Sequence, residues 1–413
     1  MNIHGQEVGW EMPEYEIEQQ LEKYWENFRR QLNDDDAEKL DRLLEEIEER
    51  FIDPTQEHPV KAVDFARWLD PEPVLDALKP AYRYFKYIRP RLPPRMRFFV
   101  FFMISKKKNV WQASHSLSEE DYGKLGFETM PCYELLREFC YERIGVEAYP
   151  VVLRWVVKEL VFLLNKQGVP LGKETFQDAT PVRSLPDDAE ATYSGYYKHE
   201  GYKMDYTIDG PRSVPLDYLP MGITDDEGKN LKGSQEHLAA LGIQEQIRVV
   251  DDKYATFENI ASSELHGVSL YYKIAKNWKH KPEGEPAMIK ALYQTYHRDS
   301  DFIPGIDLDA MLHYLYRKKE YETVGSYFRN RRMTEYEEHP EGYQELCQKR
   351  GSHMEGDIGR VKLTTLFDDH PGRRGWKQFL LRAGMTVLSL AFAALIRVQH
   401  GVFEQLANVT YII

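Results

Sequence analysis

The sequence predicts an α/β protein in which a mixed sheet carries helices on both faces, preceded by an all-helical region. Three observations predict it. Residues 202–208 alternate large apolar with polar side chains, the run Ile247-Arg248-Val249-Val250 is short and mostly β-branched, and segments of helical periodicity surround both. With 413 residues the chain can fill two or three units with sizeable cores, which excludes a single small binding module. A hydrophobic content of 42% and an aromatic content of 13% exclude a disordered chain.

Charge is unevenly placed. Residues 1–60 hold 18 acidic and 6 basic side chains, which leaves 49 acidic and 48 basic for the rest. The acidic segment reads as two helices, one with Leu21, Tyr24, Trp25 and Phe28 on a face, the other with Leu40, Leu43, Leu44, Ile47 and Phe51. The run Asn33-Asp34-Asp35-Asp36 separates them. Its outer face is a solvated surface or an arm that shields a basic groove. Nothing at the start follows a basic-then-apolar order, so no secretory leader is expected. Cys132, Cys140 and Cys347 are too few for a disulfide framework, and a reducing compartment follows.

Residues 61–170 are expected to form a helical, basic, DNA-binding region. Between Ala81 and Val110 lie nine cations, among them Arg83, Lys86, Lys106, Lys107 and Lys108, with no acidic residue and with Tyr82, Tyr84, Phe85 and Tyr87 interleaved. Cations draw phosphates by counterion release and aromatic rings pack on unstacked bases; the alternative is a solvated loop around the apolar run Phe98 to Ile104. Ser118 to Asp121 reads as a capping box, Gly126 breaks that helix, and a second begins after Pro131. This arrangement fits a helix-turn-helix or any helical bundle. Val151 to Leu164 is apolar almost all round and is expected to be core.

Residues 171–413 read as the catalytic part. Strands are expected at Glu174 to Val182, Tyr202 to Ile208 and Val214 to Ile223, with a hairpin turn at Asp209-Gly210. A helix around Leu231 to Leu241, a buried strand Ile247 to Val250, a helix around Phe257 to Leu265 and a strand Val268 to Ile274 follow. Three meandering strands and then strand–helix–strand is the element order of a ribonuclease-H-like domain. An insertion of about 276–340, rich in Tyr and Arg, interrupts it. Those residues either contact unstacked bases and phosphate or form a helical subdomain with an aromatic core. Phe379 to Val398 approaches membrane-spanning length, but Arg382 and Arg397 within it and its small residues favour a buried helix.

Phosphoryl transfer by two metals needs carboxylates that hold two divalent ions roughly 4 Å apart, and Mg²⁺ or Mn²⁺ prefers oxygen ligands. In this fold the first strand lies beside the fourth, so Asp178 and Asp251 can meet, and Glu355 can join them from a late helix. The residues that surround these acids resemble prokaryotic insertion-sequence transposases with a DDE active site. Gln177-Asp178-Ala179-Thr180-Pro181-Val182, Asp187-Asp188-Ala189 and Gly201-Tyr202-Lys203 are similar to the first block. Val249 to Tyr254, with Glu258-Asn259 and Gly267-Val268, are similar to the second, and Arg350, His353-Met354-Glu355, Ile358, Lys362 and Arg373-Arg374-Gly375 to the third.

The resemblance covers Gln177 to Gly375, about half the chain. It implies a DNA transposase in which Asp178, Asp251 and Glu355 are catalytic metal ligands for Mg²⁺ or Mn²⁺, and Lys203, Arg350, Lys362, Arg373 and Arg374 are cations for DNA phosphate. Two differences from the pattern matter. Lys253 stands where glycine usually precedes the tyrosine, so Asp252 competes with Asp251, although the tyrosine offset favours Asp251; arginine precedes Glu355 by five positions instead of four, and Asp357 is close enough to compete with Glu355. The implied partners are transposon ends and target DNA, bound by a homodimer in a prokaryotic cytoplasm at the nucleoid, with no membrane. The rival readings are an inactive, transposase-derived DNA-binding protein and a structure-specific metal-dependent nuclease.

Overall fold

The computed structural model describes residues 59–274, 284–364, 375–409 and 412, and of 355–364 the helical backbone alone. The acidic helices expected within 1–60 lie outside these residues up to position 58. The described chain is a mixed α/β structure rich in helix. Its first part is helical: α1 (Ala62–Arg67), α2 (Leu92–Ile104), α3 (Val110–His115), α4 (Glu119–Lys124), α5 (Tyr133–Glu138) and α6 (Tyr149–Lys166). The apolar run Phe98 to Ile104, around which a solvated loop was one alternative, is helical and buried.

The capping box is present: the Ser118 hydroxyl accepts from the Asp121 amide at 3.2 Å and the Ser118 amide donates to Asp121 Oδ2 at 3.0 Å. Gly126 takes a φ of +91°, which ends α4. However, α4 packs on α1 and α5 packs on α3. Two helices that each lean on a different neighbour do not form the tight pair of a helix-turn-helix, and the bundle reading fits better.

The sheet follows: β1 (Glu174–Arg183), β2 (Thr192–Ser194), β3 (His199–Asp209), β4 (Pro215–Gly222), α7 (Asn230–Ala240), β5 (Ile247–Val250), α8 (Phe257–Leu265) and β6 (Ser269–Tyr272). β1 pairs antiparallel with β3, and β3 with β4; on the other edge of β1, β5 and then β6 run parallel to it. The short β2 pairs with β3 before β4 does. At the β1–β3 crossing Gly201 is required, because a Cβ there would stand 2.1 Å from the Val182 carbonyl oxygen.

Alternation along β3 sets an apolar row against a polar one, and cover on both faces of the sheet buries the two rows alike. Tyr202, Met204, Tyr206 and Ile208 are buried as expected, but Lys203, Asp205, Thr207 and Asp209 are buried too. α7 and the segment before it cover the polar row, and each side chain finds a partner: Thr207 Oγ1 meets Ser234 Oγ at 3.1 Å and Asp209 Oδ1 accepts the Gly172 amide at 2.7 Å.

The expected insertion is helical: α9 (Gly284–Tyr296), α10 (Leu308–Arg317) and α11 (Tyr321–Glu338). Tyr296, Tyr327 and Phe328 are buried with Met288, Leu292, Met311 and Leu315, in a core that includes Leu270 and Tyr272 of β6. Aromatic rings turned inward are not offered to bases, so the subdomain-core alternative describes these rings. α12 (Pro340–Thr364) then crosses β1, β5 and β6, and α13 (Trp376–Gln399) returns to α6 and α2.

α13 is long and apolar enough to cross a membrane, and the whole of its most apolar window is buried inside the protein. Its small residues serve close approach: a Cβ on Gly384 would lie 2.1 Å from Tyr149 Cδ2 of α6. Asp188, in the β1–β2 loop, anchors its start by accepting the Gly375 amide at 3.0 Å and the Tyr202 hydroxyl at 3.0 Å.

Candidate active site

Register builds the site. Glu174 pairs with Ile247 and Phe176 with Val249, so extending the parallel ladder sets Asp178 abreast of Asp251. Neighbouring strands lie about 4.8 Å apart, which brings two carboxylates within reach of one cation. Asp251 follows the carboxyl end of β5, where ligand sites of open α/β sheets are found, and Asp178 stands level with it midway along the longer β1. They share the face that carries Phe176, Val249 and Tyr271, and α12 covers that face.

From α12, Arg350 spans both acids. Its Nη1 donates to Asp178 Oδ2 at 2.6 Å, and its Nη2 lies 3.6 Å from Asp251 Oδ1. The other Asp178 oxygen accepts the Ala179 amide at 2.8 Å. Burial pushes the Asp178 carboxyl above its ordinary range; Arg350 and the Ala179 amide oppose that rise and the charge of Asp251 adds to it. Asp252 is exposed, and of the two adjacent aspartates Asp251 is the one that shares Arg350 with Asp178. Around one guanidinium, then, the fold assembles a pair of hard oxygen donors.

Such a donor set fits a divalent ion of the Mg²⁺ or Mn²⁺ type, because two adjacent carboxylates already converge on a single centre of positive charge. Among the described residues no three His, Cys, Asp or Glu side chains gather into a metal-holding group. The side chains of Glu355 and Lys362 lie outside the described residues, as do Arg373 and Arg374 entirely. The helical backbone places position 355 about 7.5 Å along the axis from Arg350 and about 140° round it, whereas position 357 returns to the face of Arg350.

The expected cations divide by environment. Lys203 is only 3% exposed and pairs with Glu227, so it is no surface contact for DNA. The cause is the cover that α7 and its preceding turn lay over β3. Arg350, expected to meet phosphate, faces the two aspartates instead. Lys106 and Lys107 are half-buried and Lys108 is exposed, on the link between α2 and α3. Earlier in that basic stretch, Tyr84 and Tyr87 stand open to solvent with Arg83 and Lys86 over their rings at 5.4 and 4.9 Å.

Compared with protein-family models and with curated proteins, the chain matches none.

Behind the aspartates lies a buried polar network that sequence reasoning did not single out. Arg248, fully enclosed, binds Glu245 at 2.6 Å and donates to Gln177 Oε1 at 2.7 Å; Gln177 Nε2 donates to Asp205, and so does the Tyr254 hydroxyl at 2.8 Å. The tyrosine of the second sequence block therefore supports the floor of the site. Burial pushes the Asp205 carboxyl up to about 7, against the hydrogen bonds of Tyr254, Asn230 and Gln177. A charged residue inside a strand of apolar neighbours, as at Arg248, is the signal that could have found this network.

Proposed function

We propose that this protein is a DNA transposase that hydrolyses phosphodiesters at the ends of a mobile element, exposing a 3′ hydroxyl, and then directs that hydroxyl in line onto target DNA. One observation carries the reading: Asp178 of β1 and Asp251, just after the parallel neighbour β5, stand abreast and converge on one cationic group. The strand arrangement supports an RNase H-like domain, since three antiparallel strands are extended from the first by two parallel ones. Mg²⁺ or Mn²⁺ would supply Lewis-acid stabilisation of the attacking and leaving oxygens.

Asp178 and Asp251 would hold that ion, with Glu355 or Asp357 supplying the third carboxylate from α12. The Ala179 amide orients Asp178 by binding one of its oxygens, and Arg350 bridges the two acids. Lys106, Lys107, Lys108, Lys362, Arg373 and Arg374 are the proposed DNA contacts. Joining two ends requires at least a dimer on DNA, acting in a prokaryotic cytoplasm at the nucleoid.

The test is Mg²⁺-dependent nicking and strand transfer of a labelled donor end. Asp251→Asn should abolish both while end binding persists, and near-normal strand transfer by that variant would refute the assignment. A second reading, a relative that binds DNA without cutting it, draws support from the guanidinium across the pair; absence of nicking by the native chain would favour it. Cleavage without joining would instead favour a structure-specific nuclease.

A further inference from the structure

Lys253, the residue that stands where the family pattern has glycine, is put to a specific use. Its ammonium lies 4.1 Å from the centroid of the Tyr196 ring and 3.4 Å from Glu227 Oε1. Glu227 already pairs with the buried Lys203, so one carboxylate faces two ammonium groups and positive charge is left on the outer one. Tyr196 is 73% exposed, on the turn between β2 and β3. That turn is held in shape: the Tyr197 amide donates to Ser194 Oγ at 3.3 Å, the Lys198 amide to the Ser194 carbonyl at 2.8 Å, and Lys198 takes a φ of +62°.

The ring is braced from one side by Tyr197, edge-on at 4.9 Å. The turn also belongs to the neighbourhood of the acids. Lys253 follows Asp251 by two residues, and Asp178 is among the charges that raise the Tyr197 hydroxyl, whose chief cause is burial. An aromatic ring with an ammonium over it and most of its surface open, next to a pair of carboxylates that would process phosphodiesters, matches a nucleotide: the base stacks on the ring and the phosphate meets the ammonium.

We propose that Tyr196, braced by Tyr197 and capped by Lys253, is a stacking platform for an unpaired nucleobase of the DNA strand next to the Asp178–Asp251 pair. The inference rests on the DNA-processing reading of that pair and adds the form in which the strand is held.

The probe is a short single-stranded oligothymidylate carrying one 2-aminopurine, whose fluorescence falls on stacking, titrated with full-length protein in EDTA. The native chain should quench it. Tyr196→Ala should weaken binding by about tenfold or more and remove the quench, while Tyr196→Phe keeps both. Lys253→Met should reduce the salt dependence of binding by about one phosphate contact. The same sequence as a duplex should be indifferent to Tyr196→Ala.

Because Tyr196 is exposed, its variants should melt as the native chain does, which a thermal scan checks. Equal quench and affinity in Tyr196→Ala would overturn the platform. Nicking with Mg²⁺, run on the same preparations, separates the two ideas: quench without nicking supports the platform and defeats the transposase reading, and nicking without quench defeats the platform alone.

Discussion

Lys203 and Lys253 share Glu227, yet one is enclosed and the other sits at the surface. Lys203→Met removes the enclosed partner and leaves Glu227 with Lys253 alone, so it should destabilise the protein by about 1–3 kcal/mol, read from urea midpoints. DNA affinity of the folded variant should stay within about twofold of native, since phosphate contact requires exposure. Asp205 gives a pH signature. Its carboxyl is raised from about 3.9 in an unfolded chain to about 7 when folded, so the folded state binds the extra proton between those values. Its contribution is therefore fully present below pH 4 and is lost as pH rises towards 7, by up to about 1.4 kcal/mol per unit. Urea midpoints at pH 5 and pH 8 should show Asp205→Asn gaining on the native chain as pH rises; a difference that stays constant would refute the shift.

At the scale of elements, α12 and α13 carry the sharpest expectations. Position 357 shares a helical face with Arg350 and position 355 does not, whereas the sequence blocks select Glu355. Glu355→Gln and Asp357→Asn, compared in the nicking assay, should separate them, the true ligand losing at least about a hundredfold and the other remaining within about threefold of native. In α13, Gly384→Val would push into Tyr149 where 2.1 Å is all that a Cβ would have. Overpacking of this kind costs about 1–3 kcal/mol or more and should lower the melting temperature without altering the sheet. The elements themselves were legible: Ile247–Val250 and Phe257–Leu265 fall where the periodicity put them. The partners of the polar row of β3 were not legible, because alternation reports side-chain chemistry and only the fold brings Glu227 and Ser234 over Lys203 and Thr207.

For the molecule as a whole, the described residues from 59 onward form one compact unit, and one apolar core takes in α1, α2, α6, one face of the sheet and α13, while a second lies with α9, α10 and α11. The division at about residue 170, natural from the change of sequence texture, is crossed by the first core. A fragment covering 171–413 would expose the faces of α13 and β4 that α6 covers. It should lack the near-UV circular dichroism of a packed interior, while the longer chain melts in one transition; a fragment with native-like near-UV bands would show that the sheet holds its own core.

The sequence by itself determined the order and kind of the elements, because periodicity, caps and turn residues are local properties of the chain. It also brought Asp178 and Asp251 forward as candidate partners, since each lies in or beside a strand of the expected sheet. Only the tertiary structure decided which charges meet. Arg350 turns to the aspartates rather than outward, Lys203 goes inside, and Lys253 reaches Tyr196 more than fifty residues earlier. The physical reason is that charge pairing acts over a few ångströms in space, and distances between strands, helices and turns are set by packing that no local run of residues encodes.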